Sequence, residues 1–138
     1  MYTMKEVCLE THMTYEALKY YCNENLIPDV QRDKNNHRLF DDHHIAWIKS
    51  LTCLKKCGMS IQEMKEYLAL CLQGETTIPK RQIILDQKAK QLHQQIDEFN
   101  ASLDYIAFKQ QFYNDVLTGK TKYFGHLVKR IDETSTVD

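Results

Sequence analysis

Apolar residues recur at helical spacing in five stretches of the chain, and the breaks between them carry capping and turn residues. The first stretch opens at Thr3, with Glu6 three residues on, a capping-box pairing that predicts a helix start. It breaks at Thr11-His12. Thr14 then stands as the N-cap of a second helix, at the spacing of a helix-turn-helix. On that helix Ala17, Leu18 and Tyr21 share one face and are expected to point inward. Tyr15, Glu16, Lys19 and Tyr20 are left for the outside. A short helix showing hydroxyls and a cation has the chemistry to enter a major groove and grip phosphates. The same residues also suit an ordinary helical pair, so the rest of the chain decides.

The helical pattern fades through Cys22-Asn23-Glu24-Asn25. Leu26-Ile27-Pro28 then reads as a short extended piece, because a proline disfavours the α region for the residue before it. Val30-Gln31-Arg32 and Arg38-Leu39-Phe40 flank Asp33-Lys34-Asn35-Asn36-His37. Asparagines tolerate positive φ, so this segment predicts a tight hairpin. Arg32, Lys34, His37 and Arg38 cluster on it. A basic hairpin directly after a helix-turn-helix has the place and charge of a wing; a surface hairpin with incidental charge is the alternative.

A second helical pair follows. Asp41 can cap a helix to about Lys56 with Ile45, Ile48, Leu51 and Leu54 as its buried stripe, and Gly58 can end it. Ser60 with Glu63 is a further capping box, opening a helix through Met64, Tyr67, Leu68 and Leu72. Gly74 and Glu75-Thr76-Thr77 break the chain again. From there Leu85, Ala89, Leu92, Ile96, Phe99, Leu103, Ile106, Gln110 and Tyr113 alternate in steps of four and three. No glycine or proline interrupts residues 80–116. This is a heptad seam, the mark of a coiled coil. Residues 80–113 would form a helix roughly 50 Å long at 1.5 Å per residue. The seam is expected to pair with its copy in a second chain, against the alternative of folding back on its own domain. The tail is less regular, with Leu127, Val128 and Ile131 suited to one short helix and residues 133–138 to fraying.

Composition narrows the classes. The chain has 138 residues, 43% of them hydrophobic, enough for one domain and an appendage. No apolar run reaches membrane-spanning length, and the N-terminus lacks a signal-peptide pattern, so a cytoplasmic protein with no membrane partner is expected. Five cysteines without the spacing of a secreted framework point to reduced thiols. The formal net charge of -1 gives nucleic-acid binding no global support, so any DNA contact must rest on a local arrangement of cations. There is no phosphate loop, no C-x-x-C and no Ser/His/Asp arrangement, so no catalytic residue, cofactor or enzymatic activity is expected. His43 and His44 beside Asp41 and Asp42 make a poor chelate, since adjacent helical residues point about 100° apart. They read as a solvated first turn, and no metal site is expected.

The motifs Tyr2-Thr3-Met4-Lys5-Glu6-Val7, Ala17-Leu18-Lys19-Tyr20-Tyr21, Leu26-Ile27-Pro28, Arg32-Asp33, His37-Arg38-Leu39-Phe40 and Gly58-Met59-Ser60-Ile61 together resemble the MerR family of bacterial transcription regulators. The resemblance covers essentially the first 115 residues. It departs at Lys19, where the family usually has Arg, and at Asn36-His37, where it usually has Gly-Tyr. Lys for Arg gives up bidentate phosphate geometry. The resemblance implies a mainly α fold with three parts. Residues 1–74 would form a winged helix-turn-helix DNA-binding domain with a second helical pair. Residues 79–117 would form a long antiparallel coiled-coil dimerisation helix, and residues 118–138 a short tail. It further implies a homodimer on a near-palindromic site of double-stranded promoter DNA. An effector would make it kink and untwist that DNA for RNA polymerase, which it engages only indirectly. Thr14, Tyr15, Lys19, Tyr20, Arg32, Lys34, His37 and Arg38 are the expected DNA contacts.

The family's metal sensors carry cysteines near the end of the dimerisation helix, and this chain has none after Cys71. Members that bind drugs carry an added domain for which the residues after the long helix are too few. The segment from Trp47 through Ile61 resembles the aldehyde-responsive AdhR/NmlR-like subgroup, whose distinguishing cysteine falls at Cys53. A thiolate reacts with electrophiles. Lys49 and Lys56 lie four before and three after Cys53, on one helical face. Cys57, one turn on, can serve as a resolving thiol. The other reading of Cys53 is packing, and Cys8 and Cys57 are read as core and Cys22 as surface. A regulator answering to a non-covalent effector, and a coiled-coil interaction protein that never touches DNA, are the competing functions.

Overall fold

A computed structural model describes residues 1–125 and 127. It gives five α-helices and one two-stranded hairpin among them: α1 Met4–Thr11, α2 Tyr15–Asn23, β1 Gln31–Arg32, β2 Arg38–Leu39, α3 Asp42–Lys56, α4 Ile61–Leu72 and α5 Ile78–Leu117. A 3-10 turn, Glu75–Thr77, precedes α5. The chain divides into two compact units, Met1–Leu92 and His93–Asp138, and the division falls inside α5. The short helix read at Leu127, Val128 and Ile131 and the frayed end lie largely outside the described residues; Leu127 itself is in a bend.

In the first unit the caps sit where the side chains dictate. Thr3 and Glu6 close a capping box on α1, and His12 ends the helix in the left-handed region at φ 57. Thr14 Oγ1 accepts from the Ala17 amide at 3.1 Å and starts α2. Asp41 caps α3, Ser60 and Glu63 cap α4, and Gly58 turns the chain between them at φ 90. A β-branched or bulky residue in that conformation would be strained, which is why a glycine stands there. Val7, Leu18, Tyr21, Leu26, Phe40, Ile48, Leu51 and Met64 form the centre of one core. The helix read through Leu72 ends there, and Leu72 is 66% exposed.

The hairpin pairs Gln31 with Leu39 and Arg32 with Arg38. Asn36 takes the positive φ of 62° that the turn requires. Asp33 fixes the loop by accepting from the Asn35 and His37 amides at 2.8 and 2.9 Å. The His37 amide foremost holds the Asp33 carboxyl below its ordinary range. Tyr2 adds a backbone bridge to Phe40 on the other side, so the N-terminus acts as a third strand fragment.

Leu26-Ile27-Pro28 is not extended, as its sequence suggested; it bends and turns, with Asp29 at φ 59. The reason lies in α3. Trp47 Nε1 donates to the Leu26 carbonyl at 2.7 Å, and His44 Nε2 reaches the Pro28 carbonyl at 2.7 Å. These carbonyls are satisfied by side chains, so no strand partner is needed. His44 is therefore buried and engaged, not solvated; its Nδ1 accepts from the Asp41 amide at 3.0 Å. Trp47→Phe keeps an aromatic ring, gives up part of the indole's packing and orphans the Leu26 carbonyl. It should cost about 1–2 kcal/mol of stability. A lowered urea midpoint at unchanged slope checks this; an unchanged midpoint would show the bond to be incidental.

The long helix starts two residues earlier than the sequence pattern suggested. Pro79 lies in its first turn, where a missing amide donor costs nothing. Within the first unit α5 is tied down by Ile84, which packs on the core, and by Lys88. The Lys88 ammonium is nearly buried, 2.7 Å from Glu63 Oε2 and 3.5 Å from the Gly58 carbonyl. That hydrogen bond, foremost, holds the Glu63 carboxyl below its ordinary range.

In the second unit α5 runs on to Leu117. Gly119, at φ 80, turns the chain, and Phe124 comes back against Phe112 with ring centroids 4.7 Å apart.

Candidate nucleic-acid interface

Helix α2 presents two faces. Leu18 and Tyr21 are buried in the core, while Tyr15, Glu16, Lys19 and Tyr20 are exposed. Thr14 begins this outer face as the N-cap. The hairpin stands beside it, because Arg38 Nη2 donates to Asn23 Oδ1 at 2.9 Å, linking β2 to the end of α2. Arg32 is held in the same way by the Asn36 carbonyl at 2.9 Å. Each guanidinium has donors left over after this bond, so both are oriented before any ligand arrives. Lys34 is exposed at the hairpin tip, and His37 lies 3.4 Å from Asp33.

Arg32, Asn36, His37 and Arg38 line a concavity of about 400 Å³ together with Thr3, Met4, Lys5, Tyr15 and one carboxylate, that of Asp33. Lys5, part of the Tyr2–Val7 motif, is not among the expected contacts; the folded hairpin brings it to the site. Lys19 and Tyr20 are outside this lining, further along α2. The arrangement is one short helix with an open polar face, flanked by a basic wing. It can dock a helix against a polyanion and fix its register with cations.

The cysteines differ in surroundings. Cys8 and Cys22 are half-buried, and burial pushes both thiols up; the surface position expected for Cys22 is not found. Cys57 is half-buried at the C-cap of α3, and Cys71 is half-buried with Arg81 Nη1 3.9 Å from its sulfur. Cys53 is exposed in the single chain, so packing within that chain does not explain it. An adduct there would project outward rather than swell a packed junction.

This is the winged helix-turn-helix class of DNA-binding fold, with a long helix appended. The profile of the MerR HTH family of regulatory proteins matches residues 2–71, and the MerR DNA-binding profile matches residues 45–107. The chain belongs to the MerR family and is a DNA-binding transcriptional regulator of that family. An uncharacterised HTH-type transcriptional regulator of Haemophilus influenzae is 30% identical over 138 residues, covering 97% of this chain and 98% of its own. The HTH-type transcriptional regulator AdhR of Bacillus subtilis is 32% identical over 87 residues, 63% of this chain and 62% of AdhR. The crystal structure of HiNmlR, a MerR family regulator lacking the sensor domain and bound to promoter DNA, superposes with a TM-score of 0.70. That match has 30% identity and covers 85% of this chain and 93% of HiNmlR. A MerR family regulator from Listeria monocytogenes gives a TM-score of 0.74 at 28% identity, over 87% of this chain and 91% of its own. No helix among the described residues is long and apolar enough to cross a membrane.

Proposed function

We propose that the chain acts as a homodimer on a near-palindromic promoter site and distorts that DNA in response to an effector. The observation that carries the reading is the uncovered seam of α5. Ile96, Phe99, Leu103 and Ile106 lie in one heptad row and are each more than half exposed. A long row of large apolar side chains open to water calls for a partner surface, and its own copy is the partner that matches its spacing. A homodimer supplies two copies of the α2 and wing face, which suits a two-fold DNA site. Thr14, Tyr15, Lys19, Tyr20, Arg32, Lys34, His37 and Arg38 are the contacts we assign, with Lys5 added. The promoter complex of HiNmlR supports the DNA half of this reading. RNA polymerase then meets a remodelled promoter, with deformability contributing to recognition. Retention of a promoter fragment by the purified protein at stated salt tests it, and failure to bind any fragment from its own genomic neighbourhood counts against it.

For the effector, we assign an aldehyde or a similar electrophile to Cys53. The sulfur adds to the carbonyl carbon, a C–S bond forms, and the carbonyl oxygen takes up the thiol proton, so no oxidant is needed. Support comes from the exposure of Cys53 and from its place near the end of α3. The Cys57 amide donates to the Cys53 carbonyl at 3.1 Å, and the next residue, Gly58, accepts from Lys88 of α5. A change at this turn thus has a bonded route to the long helix, through which it can bias a two-state dimer. Cys53→Ser should bind the operator as well as wild type and lose aldehyde-dependent transcription; Cys57→Ser should keep at least part of it. Intact-mass spectra showing Cys71 or another cysteine modified first, or full induction in Cys53→Ser, would sink the assignment.

A further inference from the structure

Helix α2 turns a single carboxylate outward, at the place where a docked duplex meets it first. At about 100° per residue, Leu18 and Tyr21 point into the core, and Glu16 and Asn23 fall on the midline opposite them. Lys19 and Tyr20 stand to either side of that midline, and all four outer residues are exposed. Asn23 is the last residue of the helix, and its Oδ1 is taken by Arg38. Glu16 is the second residue, and the leading residues of a recognition helix are those that reach base edges. It is the one acidic residue of α2, and among the described residues it forms no ion pair with Lys19 or any other cation. The phosphates assigned to Lys19, Arg32 and Arg38 repel a carboxylate. Glu16 therefore favours binding only where the DNA offers it a donor.

We infer that Glu16 selects a cytosine in each half-site by accepting a hydrogen bond from the N4 amino group in the major groove. The inference rests on the reading of α2 and the wing as the DNA contact, and it names a base that this face reads. In the major groove guanine shows the acceptors N7 and O6, and thymine shows the acceptor O4 and a methyl group. Adenine offers its N6 amino group but sets the acceptor N7 beside it. Cytosine alone presents a donor with no acceptor on its own edge. The order of preference is therefore cytosine, then adenine, then guanine and thymine. An amide changes that order. Glutamine accepts from N6 of adenine while donating to its N7, so Glu16→Gln moves the preference from cytosine to adenine.

The test is selection of bound duplexes from a randomised pool by the full chain, read by sequencing, for wild type, Glu16→Gln and Glu16→Ala. Direct affinities at one salt concentration follow. Both substitutions are at an exposed position and should leave the circular dichroism spectrum unchanged. Wild type should enrich sites with a fixed cytosine in each half-site, and guanine there should weaken binding about tenfold per half-site. Glu16→Gln should enrich adenine at the same position. Glu16→Ala should accept all four bases there within about twofold and keep the preferences of the rest of the site. A carboxylate that served only the dipole of α2 would give three identical sequence preferences. That result, or a wild-type site without a cytosine that the variants alter, overturns the inference and leaves DNA binding by α2 in place. A wild type that enriches no sequence overturns it together with the assigned DNA contacts.

Discussion

Replacing Phe99 and Leu103 together with Lys is expected to leave the protein monomeric and unable to hold its operator. In the single chain these side chains are 69% and 61% exposed, so two lysines there cost the monomer fold little. In the proposed dimer they sit mid-seam, and the double change puts four ammonium groups into one apolar interface. Each large apolar side chain lost from burial forfeits about 1.5–3 kcal/mol. Leaving a charge buried and unpaired costs about 3–5 kcal/mol more. A dimer of micromolar affinity holds only about 8 kcal/mol. The loss exceeds that, so dissociation should be complete at working concentrations. Operator binding falls with it, because one head engages one half-site without the gain from the linked second. Sedimentation velocity with circular dichroism reads both parts: a helical monomer is the expected result. A double variant that still sediments as a dimer, or a wild type that is monomeric at micromolar concentration, places the seam elsewhere than between two chains.

What the sequence made legible is what local chemistry decides. The caps at Thr3, Thr14, Asp41 and Ser60 each need a side chain and an amide three residues away, and each forms. The wing could be read because Asn36 alone among its neighbours must take positive φ, and a short loop then fixes the register. The outer face of α2 followed from its helical period. What stayed hidden depends on contacts between distant parts of the chain. Trp47 reaches back to Leu26 and His44 to Pro28, which turned an apparent strand into a bend and an apparent surface histidine into a buried one. Tyr2 pairs with Phe40, and Lys88 with Glu63, with no short motif to mark either. Lys5 lies in a short motif, but that motif marks the start of α1 and does not show that the folded hairpin brings Lys5 into the concavity. The exposure of Cys53 likewise depends on how α3 is covered, which its heptad of neighbours does not specify.

Lys19→Ala and Arg38→Ala are each expected to flatten the salt dependence of operator binding. Lys19 projects from the exposed face of α2, and Arg38 is pre-oriented by Asn23 on the wing beside it. If both neutralise phosphates, each releases counterions when it binds, and the affinity then depends on salt through their number. Removing one such contact should lower the slope of log K against log salt by about 0.9, and so by roughly two per dimer. Because phosphates carry no sequence, the weakening should be nearly uniform across operator variants. Thr14→Ala and Tyr15→Phe serve as contrast, since neither removes a cation and neither should move the slope.

The measurement that bears most directly on the whole account is therefore the salt titration of operator affinity for wild type, Lys19→Ala and Arg38→Ala. Sedimentation equilibrium on the same samples fixes the dimer. A steep linear slope is expected for the wild-type dimer and a shallower one, by roughly two, for each variant. A wild-type affinity indifferent to salt, or an unchanged slope in both variants, would contradict it.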